Sequence, residues 1–300
     1  MISLKNKMKT LREYIKEAEE KGVAIGHFNI SNLEAFHGIY NAAKKVSVLV
    51  GENIPIIIGL SEGEEDFVGQ NEAVGMIKEI REKENYPIFL NADHHYSFER
   101  VKKSIDAGFD AVIIDCANKT FEENVKIALE CVNYAKEVNK ITDKDILVEA
   151  ELGYIGSGSN VKEEIPEGAG IFTTPEEAKK FVELTGLDML APSVGSIHGL
   201  IKSGKPHIDG ELVRKIREVS GVPLVLHGGS GLRDLDFTNA TKAGISIIHI
   251  STEIRLAYRE ALEKSLKENP KELTPYKILI PAVEAIEKII EARLRLFNNL

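Results

Sequence analysis

The chain has no long uncharged hydrophobic run, no nucleotide-binding glycine fingerprint, few cysteines and no excess of positive charge. Each absence closes off a class of function. A membrane-spanning helix needs about 20 consecutive apolar residues, and no stretch comes near that. The opening segment, MISLKNKMKTLREYIKEAEEKG, reads as a charged amphipathic helix with no apolar centre of signal-peptide type. A nucleic acid or an anionic membrane surface would require a basic face, whereas the net charge is −9. That charge leaves room for a small anionic substrate, which a few local donors can hold. The two cysteines, Cys116 and Cys131, lie in apolar stretches of a chain large enough to need no disulfide staple. A reducing cytoplasm is the expected setting. No G-x-G-x-x-G follows the first strand, which weighs against a dinucleotide site, and no low-complexity segment or linker divides the chain.

What is present is an alternation. Short β-branched runs occur near 23–29 (VAIGHFN), 54–60 (IPIIIGL), 87–93 (PIFLNAD) and 111–116 (AVIIDC). Four more follow near 145–152 (DILVEAEL), 189–194 (MLAPSV), 223–229 (PLVLHGG) and 246–251 (SIIHIS). Continuous apolar strands belong to parallel sheets buried on both faces, with the intervening helical patterns as crossovers. Ser97-x-x-Arg100 and Thr174-Pro175-Glu176-Glu177 supply helix starts, the second with proline at the first helical position. Eight such units predict an α/β fold, a closed (β/α)₈ TIM barrel occupying 1–300 as one domain, with an N-terminal helix and a C-terminal helical extension. Pro281 is expected to interrupt that extension, whose periodic Ile286, Ile289, Ile290, Leu294 and Phe297 should pack on the barrel or on a partner subunit.

Chemistry in such barrels sits at the C-terminal strand ends. Six of the eight histidines fall there: His27, His94, His95, His198, His227 and His249, with only His37 and His207 elsewhere. One imidazole at a strand end is commonly structural; six converging on one rim are hard to explain as packing. Neutral imidazole is a common ligand of zinc and related metals, and an open catalytic site uses about three protein ligands. Asp93 ends the third strand, and Glu149 and Glu151, two apart on the fifth, face the same side. Buried acids need a metal, a donor or a proton, and Glu149 has a barrel lysine or arginine as its alternative partner. A second cluster suits an anion: His227-Gly228-Gly229-Ser230-Gly231 after the seventh strand, and Ser251-Thr252 after the eighth.

In these segments the chain resembles class II fructose-bisphosphate aldolases and their tagatose-bisphosphate relatives, nearly end to end. HFNISNLEAF (27–36), IPIIIGLSEG (54–63), ADHHYSFERVKKSIDAGFDAVIID (92–115), VEAELG (148–153), TTPEEAKKFVELTGLDMLAPSVGSIHG (173–199) and LVLHGGSGL (224–232) follow the family order. The resemblance implies that His94, His198 and His227 hold a divalent metal, with zinc first and cobalt, manganese or ferrous iron as alternatives. It implies Asp93 as the acid/base at the C4 oxygen of a ketose, and Glu151 as an acid beside the metal that serves some members as an alternative ligand. Gly199, Lys202, Gly228, Ser230, Ser251 and Thr252 match phosphate-holding positions, Ser61 a residue near that phosphate, and a monovalent cation is expected there. His95 matches no ligand. The family forms dimers and higher assemblies, so a homo-oligomer is expected.

Three differences stand out. The family has Gly-Gly-x-Glu-Asp after strand 5, whose glutamate protonates the enediolate; here the stretch is GSGSN (156–160), and the next carboxylates are Glu163 and Glu164. Glu164 is the expected replacement, on a segment rich in glycine (Gly156, Gly158, Gly168, Gly170). His249 replaces an asparagine that contacts the bound triose, and Ser251 stands where several relatives have aspartate. The expected reaction is metal-dependent reversible cleavage of a ketose 1,6-bisphosphate, fructose 1,6-bisphosphate first. Alternatives are a tagatose-type or other ketose-phosphate aldolase, a non-catalytic sugar-phosphate binder, and a metal-dependent barrel hydrolase.

Overall fold

The computed structural model describes residues 8–156, 158–165, 171–204 and 206–300. Ser157, Gly168, Gly170, Lys205 and the first seven residues of the opening segment lie outside the described residues.

Eight parallel strands close into a barrel: β1 (Ile25–Asn29), β2 (Ile56–Ser61), β3 (Ile88–His95), β4 (Ala111–Ile114), β5 (Leu147–Leu152), β6 (Met189–Pro192), β7 (Leu224–Leu226) and β8 (Ile245–Ile250). Each pairs with its sequence neighbours in the barrel, and β8 closes onto β1. All eight lie where the apolar runs placed them, with ends shifted by up to three residues. Helices fill the crossovers: α1 (Leu11–Lys21), α2 (Leu33–Val50), α3 (Glu62–Val68), α4 (Gln70–Glu84), α5 (Phe98–Ala107) and α6 (Phe121–Thr142), then α7 (Pro175–Thr185), α8 (Gly210–Ser220), α9 (Asp234–Ala243), α10 (Thr252–Glu268) and α11 (Pro275–Phe297). The expected starts hold. Ser97 accepts from the Arg100 N–H, and Thr174 and Glu177 form a capping box around Pro175. Among the described residues no helix is long and apolar enough to cross a membrane.

Pro281 does not end the last helix; α11 runs through it from Pro275 to Phe297. A proline inside a helix removes one hydrogen bond. Here Ile286, Ile290, Leu294 and Phe297 are buried against the barrel's helical layer, and that burial holds the helix together across the gap.

Alternation along each strand turns every second residue inward. The lowest inward ring is apolar: Ile25, Ile57, Phe89, Leu147, Met189, Val225 and Ile247 pack with Leu11, Ile15 and Ala18 of α1, which plugs the barrel floor. Two residues further along the same strands come His27, Asn91, Glu149, His227 and His249; two more bring Asn29, Asp93 and Glu151. One periodicity therefore builds a dry base and a polar top.

Candidate active site at the top of the barrel

Regular alternation cannot turn both Asp93 and His94 inward. The chain solves this with a register irregularity between Ala92 and His95 and a left-handed His94, whose φ is 47°. A non-glycine residue at positive φ carries strain that clusters at functional sites. Here it brings two adjacent polar side chains to one cavity.

His94, Glu151, His198 and His227 offer ligand atoms all within 4.8 Å of one another. His94 Nε2 lies 3.1 Å from His227 Nδ1, and Glu151 Oε2 lies 3.8 Å from His227 Nδ1 and 3.9 Å from His198 Nε2. Tetrahedral zinc with bonds near 2.05 Å separates its ligands by roughly 3.4 Å, so these spacings fit. The outer nitrogens decide the matter. His94 Nδ1 donates to Asp115 (3.0 Å) and His227 Nε2 to Glu149 (2.7 Å), which leaves two imidazole lone pairs facing each other. Among the described residues, His198 Nε2 and Glu151 Oε2 are buried with no hydrogen-bond partner. A cation between them answers all four atoms. The charge balance agrees: burial, then nearby Asp115, holds Glu151 well above the usual carboxylate range, and burial keeps His198 neutral. His94, against its burial, is pushed up to about 10 chiefly by Asp93 and Asp115, so that a proton on Nε2, bridging to His227 Nδ1, stands in for the cation: a sign of a centre short of positive charge.

Two further groupings, His27 with Asp93 and His249, and Glu149 with His227 and His249, are also close-packed. The His27 and His249 rings are stacked 3.5 Å apart and 4° from parallel. An ion 2 Å from nitrogens of both would lie far out of both ring planes, so this pair suits no metal.

Asp93 sits beside the centre without joining it. Its Oδ2 accepts from Asn29 (2.8 Å), while its Oδ1 is unpartnered, 3.7 Å from His94 Nε2 and 3.5 Å from His249 Nδ1. Burial would raise this carboxyl, but His94 and His249 outweigh it and hold Asp93 well below its ordinary range. A carboxylate fixed by one oxygen with the other free is placed to take a proton from a ligand.

Two connected spaces open over these groups. The larger, about 260 Å³, is lined by Ser61, Asp93, His94, Tyr96, Asp115, Glu151, Tyr154, His198 and Arg255. The smaller is bounded by Gly199, Gly228, Gly229, Ser230, His249, Ser251 and Thr252. Gly228 is required there: its φ is 63°, and a Cβ would lie 2.6 Å from the Ile197 carbonyl carbon. Ser230 Oγ already accepts, weakly, from the Ser251 and Glu253 N–H groups, whereas Ser251 Oγ is buried and unpartnered.

The residues named from sequence thus fall into two groups. His94, His198, Glu151, Asp93, Ser61, Gly199, Gly228, Ser230, His249, Ser251 and Thr252 all line these spaces, and His227 joins the cluster beneath them. Lys202 and Glu164 do not line them. Lys202 pairs with Glu163 (2.6 Å) on a two-stranded ribbon, Val161–Lys162 beside Leu200–Ile201, and Glu164 is exposed beside it. His95 is buried against Glu65 and Ser104, away from the ion cluster. Glu149 bonds His227 rather than a lysine or arginine.

Three contributors were not anticipated. Asp115 and Asn29 each lie two residues beyond an inward position, so carrying the alternation one step further would have found them. Arg255, one turn into α10 and held by buried Glu64 (2.7 Å), carries no such signal.

Comparison with known proteins agrees with this fold. The family described as "Fructose-bisphosphate aldolase class-II" matches residues 9–300. The chain belongs to the class II fructose-bisphosphate aldolase family. It is 36% identical to the fructose-bisphosphate aldolase of Geobacillus stearothermophilus over 293 residues, 97% of this chain and 96% of that one. It is equally similar, at 36%, to the probable fructose-bisphosphate aldolase of Bacillus subtilis strain 168, covering 97% of each. Among solved structures, the YdjI aldolase of Escherichia coli K12 superposes with a TM-score of 0.78 at 29% identity, covering 96% of each chain. This is an aldolase, a carbon–carbon lyase of the metal-dependent class.

Within the cluster, Asp115 and Glu149 hydrogen-bond the His94 and His227 imidazoles and orient them. Glu149→Ala should weaken metal binding by about 10–100-fold, the usual consequence of losing such an outer hydrogen bond. Competition with a chromogenic chelator measures it; wild-type affinity in the variant would contradict the assignment.

Proposed function

We propose that this aldolase reversibly cleaves a ketose 1,6-bisphosphate, fructose 1,6-bisphosphate first, to dihydroxyacetone phosphate and glyceraldehyde 3-phosphate. The observation that carries it is the pairing of an ion-ready cluster, with two orphaned ligand atoms, and a buried carboxylate, one of its oxygens unpartnered among the described residues, that lines both spaces above it.

A divalent metal on His94, His198 and His227, zinc in this reading, supplies an electrophile for the charge that develops as the carbon–carbon bond breaks. Asp93 Oδ1 takes the C4 hydroxyl proton. The C4 oxygen becomes the aldehyde carbonyl, the C3–C4 bond breaks, and its electron pair stays with C3. Glu151, buried beside the histidines, is an additional or alternative ligand. The glycines and hydroxyls of Gly199, Gly228, Ser230, Ser251 and Thr252 hold the phosphate next to the cleaved half, with a monovalent cation as a further aid. Binding energy at that non-reacting end orients the reacting carbons. Arg255 lines the space left for the distal half and is the cation there for a second phosphate; Ser61, expected near the first phosphate, lines this larger space instead. Lys202, exposed on the ribbon, would have to turn inward to join the first phosphate.

C3 still needs a proton before triose phosphate leaves. Glu164, or Glu163 beside it, is the carboxylate we assign to that step, on closure of the ribbon over the site. Solvent deuterium exchange at C3 of dihydroxyacetone phosphate isolates it. The Glu163→Gln/Glu164→Gln double variant should lose exchange and keep its metal; undiminished exchange would transfer the role to His249 or water.

The working assembly in this reading is a homodimer or larger homo-oligomer in the cytoplasm, with a sugar phosphate as its partner. The direct test is product analysis. Fructose 1,6-bisphosphate and tagatose 1,6-bisphosphate are each incubated with enzyme, and triose phosphates and inorganic phosphate are assayed. Triose phosphate from either sugar supports aldol cleavage and ranks the two. Inorganic phosphate alone would mean a hydrolase, and no product from either would mean a sugar-phosphate binder.

A further inference from the structure

Three imidazoles form a ladder across neighbouring strands. His27 on β1 and His249 on β8 are register partners, so their side chains leave the barrel wall side by side. Their rings stack at 3.5 Å, and His249 in turn lies 4.2 Å from the His227 ring at 24°. His227 is committed through both nitrogens, to Glu149 and to the ion cluster.

His249 is oriented but incomplete. Its Nδ1 faces Asp93 Oδ1 at 3.5 Å, its Nε2 is buried and has no partner among the described residues, and the residue lines the small cavity bounded by Gly228, Ser230 and Ser251. With the proton on Nδ1, toward the carboxylate, Nε2 presents a lone pair. A buried acceptor of this kind calls for an O–H donor from whatever fills the cavity. A phosphate dianion has no hydrogen to give; a sugar hydroxyl has one.

His27 lines neither of the two spaces above the site. It is fully buried, its Nε2 is 3.0 Å from Asn91 Nδ2, and Gly59 leaves the room its ring occupies, since a Cβ there would lie 2.2 Å from Cε1. What His27 offers the site is its face.

We propose that His27 is a positioning residue for sugar recognition: stacked on His249, it fixes that ring so that Nε2 accepts a hydrogen bond from a hydroxyl of the bound ketose phosphate. This rests on the aldolase reading above. A site built around a hydroxyl rejects the analogue that lacks it, because the acceptor is then left unpaired.

The probes are dihydroxyacetone phosphate and its deoxy analogue hydroxyacetone phosphate, which differ by that one hydroxyl. Their affinities are measured by calorimetry on metal-loaded protein, with metal content and melting temperature as controls. Wild type should prefer dihydroxyacetone phosphate. His249→Ala should reduce the preference, and His27→Ala should reduce it by up to roughly tenfold, the upper range for losing a stacked ring pair. Binding of the deoxy analogue should change little. A merely structural role for His27 would weaken both ligands alike and leave the ratio intact. His27→Gln keeps an amide toward Asn91 but no ring, so it should show the same loss and serves where the alanine variant folds poorly. A wild-type ratio in either folded variant overturns the proposal. Failure of wild type to bind either triose phosphate would instead bring down the aldolase reading along with it.

Discussion

His198→Ala should strip the protein of its divalent metal and its cleavage activity together. His198 Nε2 is buried with no partner among the described residues to compete for it, and Glu151 Oε2 beside it is equally orphaned. Losing an outer hydrogen bond to a ligand typically weakens a metal site by up to about 100-fold, and losing a ligand outright should exceed that. Burial already keeps His198 neutral, so no proton has to leave before it binds. Elemental analysis after gel filtration reads the metal, and a coupled triose phosphate assay reads the activity. A full equivalent of metal in the variant would remove His198 from the ligand set. Retained metal with lost activity would assign it a role in binding substrate.

Asp93→Asn should separate chemistry from binding. Asn29 still finds an acceptor at this position, so the local packing survives, but the free oxygen facing the cavity can no longer take a proton. General-base help of this kind is typically worth about 10²–10⁴ in rate, and kcat should fall by that order. Metal content should stay near wild type, and affinity for dihydroxyacetone phosphate should fall far less than kcat, because Asp93 Oδ1 acts on that ligand's binding only through His249 Nδ1. A large loss of metal would move Asp93 into the coordination sphere, consistent with its 3.7 Å approach to His94 Nε2. Unchanged kcat would leave the C4 proton to another group.

These residues were legible in the sequence because barrel strands impose a period of two. His27, His249, Asp93, Glu149 and Glu151 sit at inward positions above the apolar ring of Ile25, Ile247, Phe89 and Leu147. The pattern therefore gives both the strand and the height of each polar group within it. His94 breaks the pattern, and its inward turn depends on a backbone irregularity at φ 47° that alternation does not foresee. Partners across the barrel were harder to foresee. The Glu149–His227 and Asp115–His94 bonds join strands whose relative height only closure of the barrel sets. Pro281 misled for the opposite reason: local propensity marked a break, and the burial of Ile286 and Ile290 overrode it. The ribbon at Val161–Lys162 and Leu200–Ile201 is two residues long per strand, too short to leave any periodic trace, and it holds Lys202 and Glu163 together outside the cavity.

The central claim, cleavage that depends on one metal held by three histidines, is tested most directly by back-titration. Chelator-treated protein is supplied with zinc in fractions of an equivalent while fructose 1,6-bisphosphate cleavage is followed. The account predicts no triose phosphate at zero metal, a linear rise, and a plateau at one metal per chain. Undiminished cleavage by the metal-free protein, trapped by borohydride as a covalent adduct on a lysine, would contradict it.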